Sequence, residues 1–459
     1  MTMKEILFAV TSFIRCQTCC DVGHLLTALF SLTLVCSIVS CGDDGSYEPT
    51  LPVSPLNSQD SVLVRQLLDL GLPVVWIRTV DGQEPSYEIA DAPHGCWGGS
   101  IKNATKVPGR IVVLSGDSVI YESGEYVDQQ SGMTVKVRGN WSARRPKKPF
   151  KIKLQSKADM LGRQDSRFAD TEWILLPFFS LNNIIGLKVN ELMGLEWTPR
   201  YILANVVFNG ESQGLYYLME SVKRNNDCRL KVANTGYVIE LDAYWWNEDL
   251  YAMASFEEPL NYTFKYPEAK NISSSRLDYI QKVMGKAEVS TRNGFYQNMI
   301  DVESFVRWML AHDILGNTDG AGSNIFITKY DNTETSLIKM GPLWDFDVIM
   351  RSEGWDEIHG RYFFKGLFAN ENRYFVNRYV ALWDEVKDEV FEGLSRYLEK
   401  YMASELCKAV DASILLNNER WAAEMHSLPL SSTFVEEANN YFAQRKHWLE
   451  TMIDHEIRN

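Results

Sequence analysis

An α+β fold, β-rich in its first half and helical towards its C-terminus, is what this 459-residue chain predicts. Three observations carry that expectation. Short alternating apolar runs, separated by Gly, Asp and Ser clusters, fill Gly71 to Val137. Phe375, Tyr379, Leu382, Val386, Val390, Leu394 and Leu398 recur at helical spacing near the end. Between them, Gly316 to Asp347 orders itself as a helix stop, a loop, two strands joined by a turn, and an acidic tail.

Composition bounds the rest. With 45% hydrophobic and 12% aromatic residues, the chain can bury the core of one large or two ordinary domains. A net charge of −14 argues against nucleic acid or an anionic membrane as a partner of the whole surface, so any phosphate site must be a local basic exception. Of eight cysteines, Cys16, Cys19, Cys20, Cys36 and Cys41 crowd the N-terminus and Cys96, Cys228 and Cys407 lie in the body. That spacing makes no disulfide framework, and Cys16-Gln17-Thr18-Cys19-Cys20 lacks the second ligand pair that zinc needs.

The elements follow in order. Leu25 to Ser40 is apolar or small and uncharged, the length of a secretory h-region and too short for a confident spanning helix. Residues 1–40 are therefore expected to be a signal peptide and 41–60, with Pro52 and Pro55, a tether. A β-rich region is expected over 61–130, with strands at Leu72–Thr79 and Arg110–Leu114, and a second domain over 131–459 that begins with a strand at Thr134–Arg138. In Phe150-Lys151-Ile152-Lys153-Leu154 the apolar residues go to a core and both lysines to the other face. The loop before it holds Arg144, Arg145, Lys147 and Lys148, the one dense basic patch of an acidic protein, where a polyphosphate would dock. A helix near Asn183–Gly194 precedes a hairpin of Leu203–Phe208 and Leu215–Val222 with an Asn209-Gly210 turn. The backbone at Met219-Glu220-Ser221-Val222, where that hairpin ends, is a candidate contact for an adenine edge. A last helix carries Phe442, Arg445, Trp448 and Leu449.

The chemistry concentrates in GNTDGAGSNIFITKYDNTETSLIKMGPLWDFD, residues 316–347. Glu303 to Leu315 puts Phe305, Trp308, Met309 and His312 on one helical face, and Gly316 stops the helix. Asp319 and Asn324 stand five apart in the following loop. Strands at Asn324–Tyr330 and Ser336–Met340, joined by Asp331–Glu334, lead to Trp344-Asp345-Phe346-Asp347. Phosphoryl transfer asks for this: one Asp for the acceptor proton, an Asn and a second Asp for magnesium. The plainer reading is a polar loop beside a hairpin, and the basic loop alone is a solvated surface. The helix before and the strand-borne Asp after give the site its weight.

Taken together these motifs resemble the spore coat protein H (CotH) kinase family. The matching blocks are Val137-Arg138-Gly139-Asn140-Trp141 with Pro146 to Leu154, Asn209 to Glu220, Gly236 to Asp242, Gly316 to Asp319, Lys339 to Asp347, and the C-terminal R-x2-W-L at 445–449. The resemblance implies an atypical protein-kinase-like two-lobed fold, N-lobe about 131–222 and C-lobe about 223–459, using ATP and Mg2+ or Mn2+ to phosphorylate Ser or Thr of a protein. It implies that Asp319 is the catalytic Asp. Asn324 and Asp345, with Asp347 second, would hold the metal; Lys151, rather than Lys153, would pair with the phosphates near Arg138, with Glu191 as its helix partner; and Glu220 would lie by the nucleotide. The chain departs from the family at Ser180-Leu181-Asn182-Asn183-Ile184, where members often show an Arg. Ile38-Val39-Ser40-Cys41 resembles a bacterial lipobox, which would lipidate Cys41, and the acidic Asp43-Asp44 that follows resembles an export signal to the outer membrane surface. A surface lipoprotein kinase is the expected function; the alternative is an inactive kinase-like cell-surface binding or structural module.

Overall fold

The computed structural model describes Leu56 and residues 58–320, 323–351, 353–355 and 357–458. The expected signal segment, Cys41 and most of the tether lie outside these residues. Helix α1 (Ser58–Leu68) leads into β1 (Val74–Thr79), followed by β2 (Glu88–Ile89), β3 (Ile101–Lys102), β4 (Val107–Ser115), β5 (Ser118–Glu122), β6 (Met133–Val137), β7 (Phe150–Ala158) and β8 (Asp170–Pro177). Then come α2 (Asn182–Leu192), β9 (Tyr201–Phe208), β10 (Glu211–Glu220), β11 (Tyr237–Asp242), β12 (Tyr251–Met253) and β13 (Asn261–Tyr266). The remainder is α3 (Ser274–Asn293), α4 (Val302–Leu315), β14 (Ile325–Lys329), β15 (Ile338–Met340), α5 (Tyr362–Ala369), α6 (Tyr374–Met402), α7 (Glu405–Trp421) and α8 (Ser431–Met452). The fold is α+β with its strands early and its helices late, as the apolar periodicities predict.

Alternation along the early strands has a consequence that period counting does not reveal. The sheet runs β1-β9-β10-β8-β7-β6-β4, and β1 also pairs antiparallel with β4, Val74 to Thr79 against Leu114 to Gly109, so seven strands close on themselves. Their inward residues, among them Val75, Ile77, Ile111, Val113, Val135, Ile152, Trp173, Val206 and Leu218, make one apolar core. Phe150, Ile152 and Leu154 point into it, Lys151 is half-buried on the outside and Lys153 is exposed. β1 and β4 come from the stretch 61–130 and the other five strands from 131–222, so a single core spans both.

A second sheet, β12-β13-β11-β14-β15, packs with α2 and the C-terminal helices around the larger apolar core. On α6, Phe375, Tyr379, Leu382, Val390, Leu394 and Leu398 are buried, and Val386 is partly so.

The basic loop is partly withdrawn from solvent, contrary to the expectation of a patch of four cations. Lys147 is fully buried, its Nζ donating to Leu215 O and Asn417 Oδ1 at 2.6 Å each, and burial pushes its pKa well below the ordinary lysine value. It latches the loop to β10 and α7. Lys148 donates to the Tyr87 hydroxyl at 3.0 Å. Arg144 and Arg145 remain exposed, stacked on Trp141 and Phe179 at 4.7 and 4.8 Å.

Candidate active site

α4 delivers the acidic loop. Its N-cap Asp301 accepts from Ser304 N–H at 3.0 Å, and Gly316 ends it in the left-handed region at φ 55°. His312 faces inward, buried against Trp308, and burial pushes its pKa down to about 3, so it is neutral. Gly320 lies flat on this ring; a Cβ there would overlap it, so only glycine brings the loop back so tightly beside Asp319.

Asn317, 1% exposed, ties the two acidic segments together: Oδ1 accepts from Asp319 N–H at 3.1 Å, and Nδ2 donates to Asp345 O at 3.2 Å. Asn324 and Asp345 both sit at positive φ, 64° and 63°, an arrangement that Asn and Asp tolerate best and that clusters at functional sites. Asn324 Nδ2 approaches Asp345 Oδ2 at 3.5 Å. Phe346 between the two acids packs on Gly186 of α2, where a Cβ would overlap its ring. Asn182, at the start of α2, donates to Asp347 O at 3.3 Å. The segment in which the chain departs from its family pattern therefore touches the acidic tail directly.

The carboxylates repel one another. Burial, then Asp347 and Asp319, push the Asp345 carboxyl up to about 7, with Arg138 as the opposing cation. Burial and then Asp347 raise Asp319. Asp347 is exposed at the rim yet walled by protein on most sides, which raises it too, against the pull of Arg145. A hydroxyl stands in this field: burial, then Asp319, Asp242 and Asp345, push Tyr244 up to about 12, so it keeps its proton. Asp242, one step beyond the Leu241–Ile325 pair of the β11–β14 ladder, is raised to about 7 by burial and Glu240 while accepting from Tyr244 N–H at 2.7 Å and Thr263 Oγ1–H at 3.1 Å.

Among the described residues no three His, Cys, Asp or Glu side chains form a ready-made metal cage. Hard oxygen donors on Asn324, Asp345 and Asp347, the two carboxylates repelling one another, nonetheless fit a magnesium ion that draws its other ligands from phosphate and water. Lys151 pairs with Glu172 of β8 at 3.1 Å, not with Glu191. Glu191 is exposed on α2 and pairs with Lys188 at 3.5 Å. The β7–β8 register, Lys153 against Glu172, decides this, and no helical spacing encodes it. Glu220 is buried between Arg163 at 3.0 Å and Arg229 at 3.1 Å, and its backbone N–H is taken by Arg200 O. The adenine contact expected at this strand end is thus occupied by the protein itself at Glu220. Arg138, half-buried, lies within the field of both Asp345 and Glu240.

Asn317 and Asp242 fall in blocks whose letters mark them, 316–319 and 236–242, yet nothing in the letters assigns them to the site. Tyr244 carries no local signal at all, whereas Arg145 belongs to the basic loop and Asn182 to the segment that departs from the family pattern.

A family model described as CotH kinase protein matches residues 135–449, from β6 to α8. Over 157 residues the chain is 25% identical to the inner spore coat protein H of Bacillus subtilis (strain 168), a stretch covering 33% of this chain and 41% of that protein.

Proposed function

The chain belongs to the CotH kinase protein family, and from that membership we propose that it transfers the γ-phosphate of ATP to Ser or Thr of a protein substrate, as an extracytoplasmic lipoprotein. The barrel serves as the upper lobe of a kinase-like molecule, and the second sheet with its helices serves as the lower lobe. The observation that carries the reading is the convergence of Asp319, Asn324, Asp345 and Asp347, with Arg138 and Arg145 close by.

In this reading Asp319 orients the acceptor hydroxyl and takes its proton, a role suited to a carboxyl already raised by its surroundings. Asn324, Asp345 and Asp347 hold Mg2+ or Mn2+, which supplies charge neutralisation on the phosphates when bound. Arg138 and Lys151 bind phosphate oxygens, and Asn317 keeps the Asp319 loop in register with Asp345. The anchor is proposed at Cys41, with the protein held at the outer membrane or cell surface.

Two experiments test this. With full-length protein and radiolabelled ATP, first with magnesium and then with manganese, phosphate should reach the protein itself or a generic protein acceptor. Asp319→Ala should slow transfer by at least ~10²-fold while sparing metal–nucleotide binding; Asp345→Ala should remove both. Transfer by neither metal, with ATP binding no better than in the variants, would return the chain to an inactive binding module. Palmitate labelling of wild type against Cys41→Ala tests the anchor, and equal labelling of both rules it out.

A further inference from the structure

Helix α2 meets the acidic tail along one face. Asn182, Gly186 and Asn190 stand four residues apart and so share a side of the helix. The first donates to Asp347 O at 3.3 Å, the second leaves room for the Phe346 ring, and the third takes the Leu343 N–H on its Oδ1 at 2.8 Å. Helix and tail therefore run past each other in opposite directions, with Asn190 at the end that precedes the acids.

Asn190 is fully buried, and both its nitrogen and its oxygen are engaged. Nδ2 donates to Trp197 O at 3.0 Å and to Thr198 Oγ1 at 2.7 Å. A carbonyl oxygen can only accept, so Trp197 fixes which end of the amide is the nitrogen and turns Oδ1 towards Leu343. The helix does not need this oxygen in order to end, because Met193 and Gly194 N–H already bond back to Val189 O at 2.9 Å and Glu191 O at 3.0 Å. Leu343 does need it. Strand β15 stops at Met340, Gly341 N–H reaches Phe326 O at 2.7 Å, and Pro342 has no N–H to give. Buried Leu343 would otherwise carry an unpaired donor into the core. Asp345 lies two residues on, at most about 7 Å of extended chain, so the bond at Leu343 governs where its carboxylate stands.

We propose that Asn190 is a positioning residue for the metal-holding acids, anchoring the chain at Leu343 so that Asp345 and Asp347 keep the placement a divalent cation requires. This rests on the reading of Asp345 and Asp347 as metal ligands. Residues that orient metal ligands from behind typically account for about 10–100-fold in metal affinity or activity.

Hydrogen exchange on metal-free full-length protein and calorimetry with ATP over a range of magnesium concentrations test it together. Asn190→Ala removes the acceptor; Asn190→Asp, protonated in so buried a place, keeps an acceptor for Leu343 and one donor; Thr198→Val removes a partner from the other side of the same amide. In Asn190→Ala, residues 341–347 should exchange faster, and the magnesium concentration that half-saturates ATP binding should rise at least ~10-fold, with excess magnesium restoring binding. Asn190→Asp and Thr198→Val should keep the wild-type magnesium dependence even where they melt at lower temperature. If Asn190→Ala does not melt cooperatively, Asn190→Ser, too short to reach Leu343, takes its place. Wild-type exchange over 341–347 in the folded variant overturns the anchor. Faster exchange with unchanged magnesium dependence, or an equal loss in Thr198→Val, overturns the positioning role and leaves the metal reading standing. Wild type whose ATP binding ignores magnesium overturns the metal reading and the proposal with it.

Discussion

At the scale of single residues, the site is built from side chains that dislike their positions. Asp345 combines a left-handed backbone at φ 63° with a carboxyl pushed up to about 7 by burial and by Asp347 and Asp319. Asp347 is the strongest like charge acting on it, so the titration belongs to the pair. The sign follows from the direction of the shift. An aspartate whose folded-state pKa lies above its unfolded value of about 3.9 favours folding below that value and loses the contribution as pH rises towards 7. Metal-free protein should therefore lose stability between about pH 4 and about pH 7, and magnesium, which needs the ionised pair, should stabilise wild type more at pH 8 than at pH 5.5. Thermal melting of wild type and Asp345→Asn with and without magnesium checks this; equal magnesium shifts at both pH values for wild type would refute it. That Asp319, Asn324 and Asp345 come together was legible because spacing along one helix, loop and hairpin groups them. Glu172 and Asn317 were not, since a strand register and a buried amide bridge join segments that no local spacing relates.

At the scale of elements, the reading of the sequence was close where an element carries its own stop signals. The helix expected to end at Gly316 is Val302–Leu315 with Gly316 as a left-handed cap, and the hairpin strands fall at Ile325–Lys329 and Ile338–Met340, inside the expected spans. What periodicity cannot show is which element another packs on. α2 has an ordinary glycine at 186, a residue that costs helix stability unless something needs the space. Phe346 needs it: the ring between Asp345 and Asp347 lies against the bare backbone there. Gly186→Ala should therefore act on the site from a helix that carries no catalytic group. The added methyl must move Phe346, and a shift of about 1 Å in the two acids is worth on the order of 10²-fold in rate, while overpacking costs about 1–3 kcal/mol. Magnesium-dependent ATP binding should weaken along with transfer, and the protein should still melt cooperatively. Full activity of the Gly186→Ala variant would show that the Phe346 contact does not position the acids.

At the scale of the whole molecule, the closed barrel is the feature least visible in the letters. Alternation marks each strand and gives its inner face, but closure depends on β1 lying between β4 and β9, a parallel pairing on one side and an antiparallel one on the other, with more than a hundred residues separating β1 from β9. The family match begins at residue 135, inside β6, and so leaves β1 and β4 outside the matched residues. The barrel does not allow that separation. β1 and β4 place Val75, Ile77, Val107, Ile111 and Val113 in the interior, each buried to 4% exposure or less. At about 1.5–3 kcal/mol per buried aliphatic side chain, their removal forfeits an amount comparable to the entire stability of an ordinary domain, about 5–15 kcal/mol. It would also open the edges of β9 and β6 to pairing with other chains. A fragment starting at residue 131 should thus be insoluble or unfold without a cooperative transition, whereas one starting at residue 56, which keeps α1 and the whole barrel, should melt like the full-length chain. Circular dichroism melts of the two fragments decide the matter, and a cooperative transition for the shorter one would mean that five strands suffice and that residues 61–130 are an accessory to the fold rather than part of it.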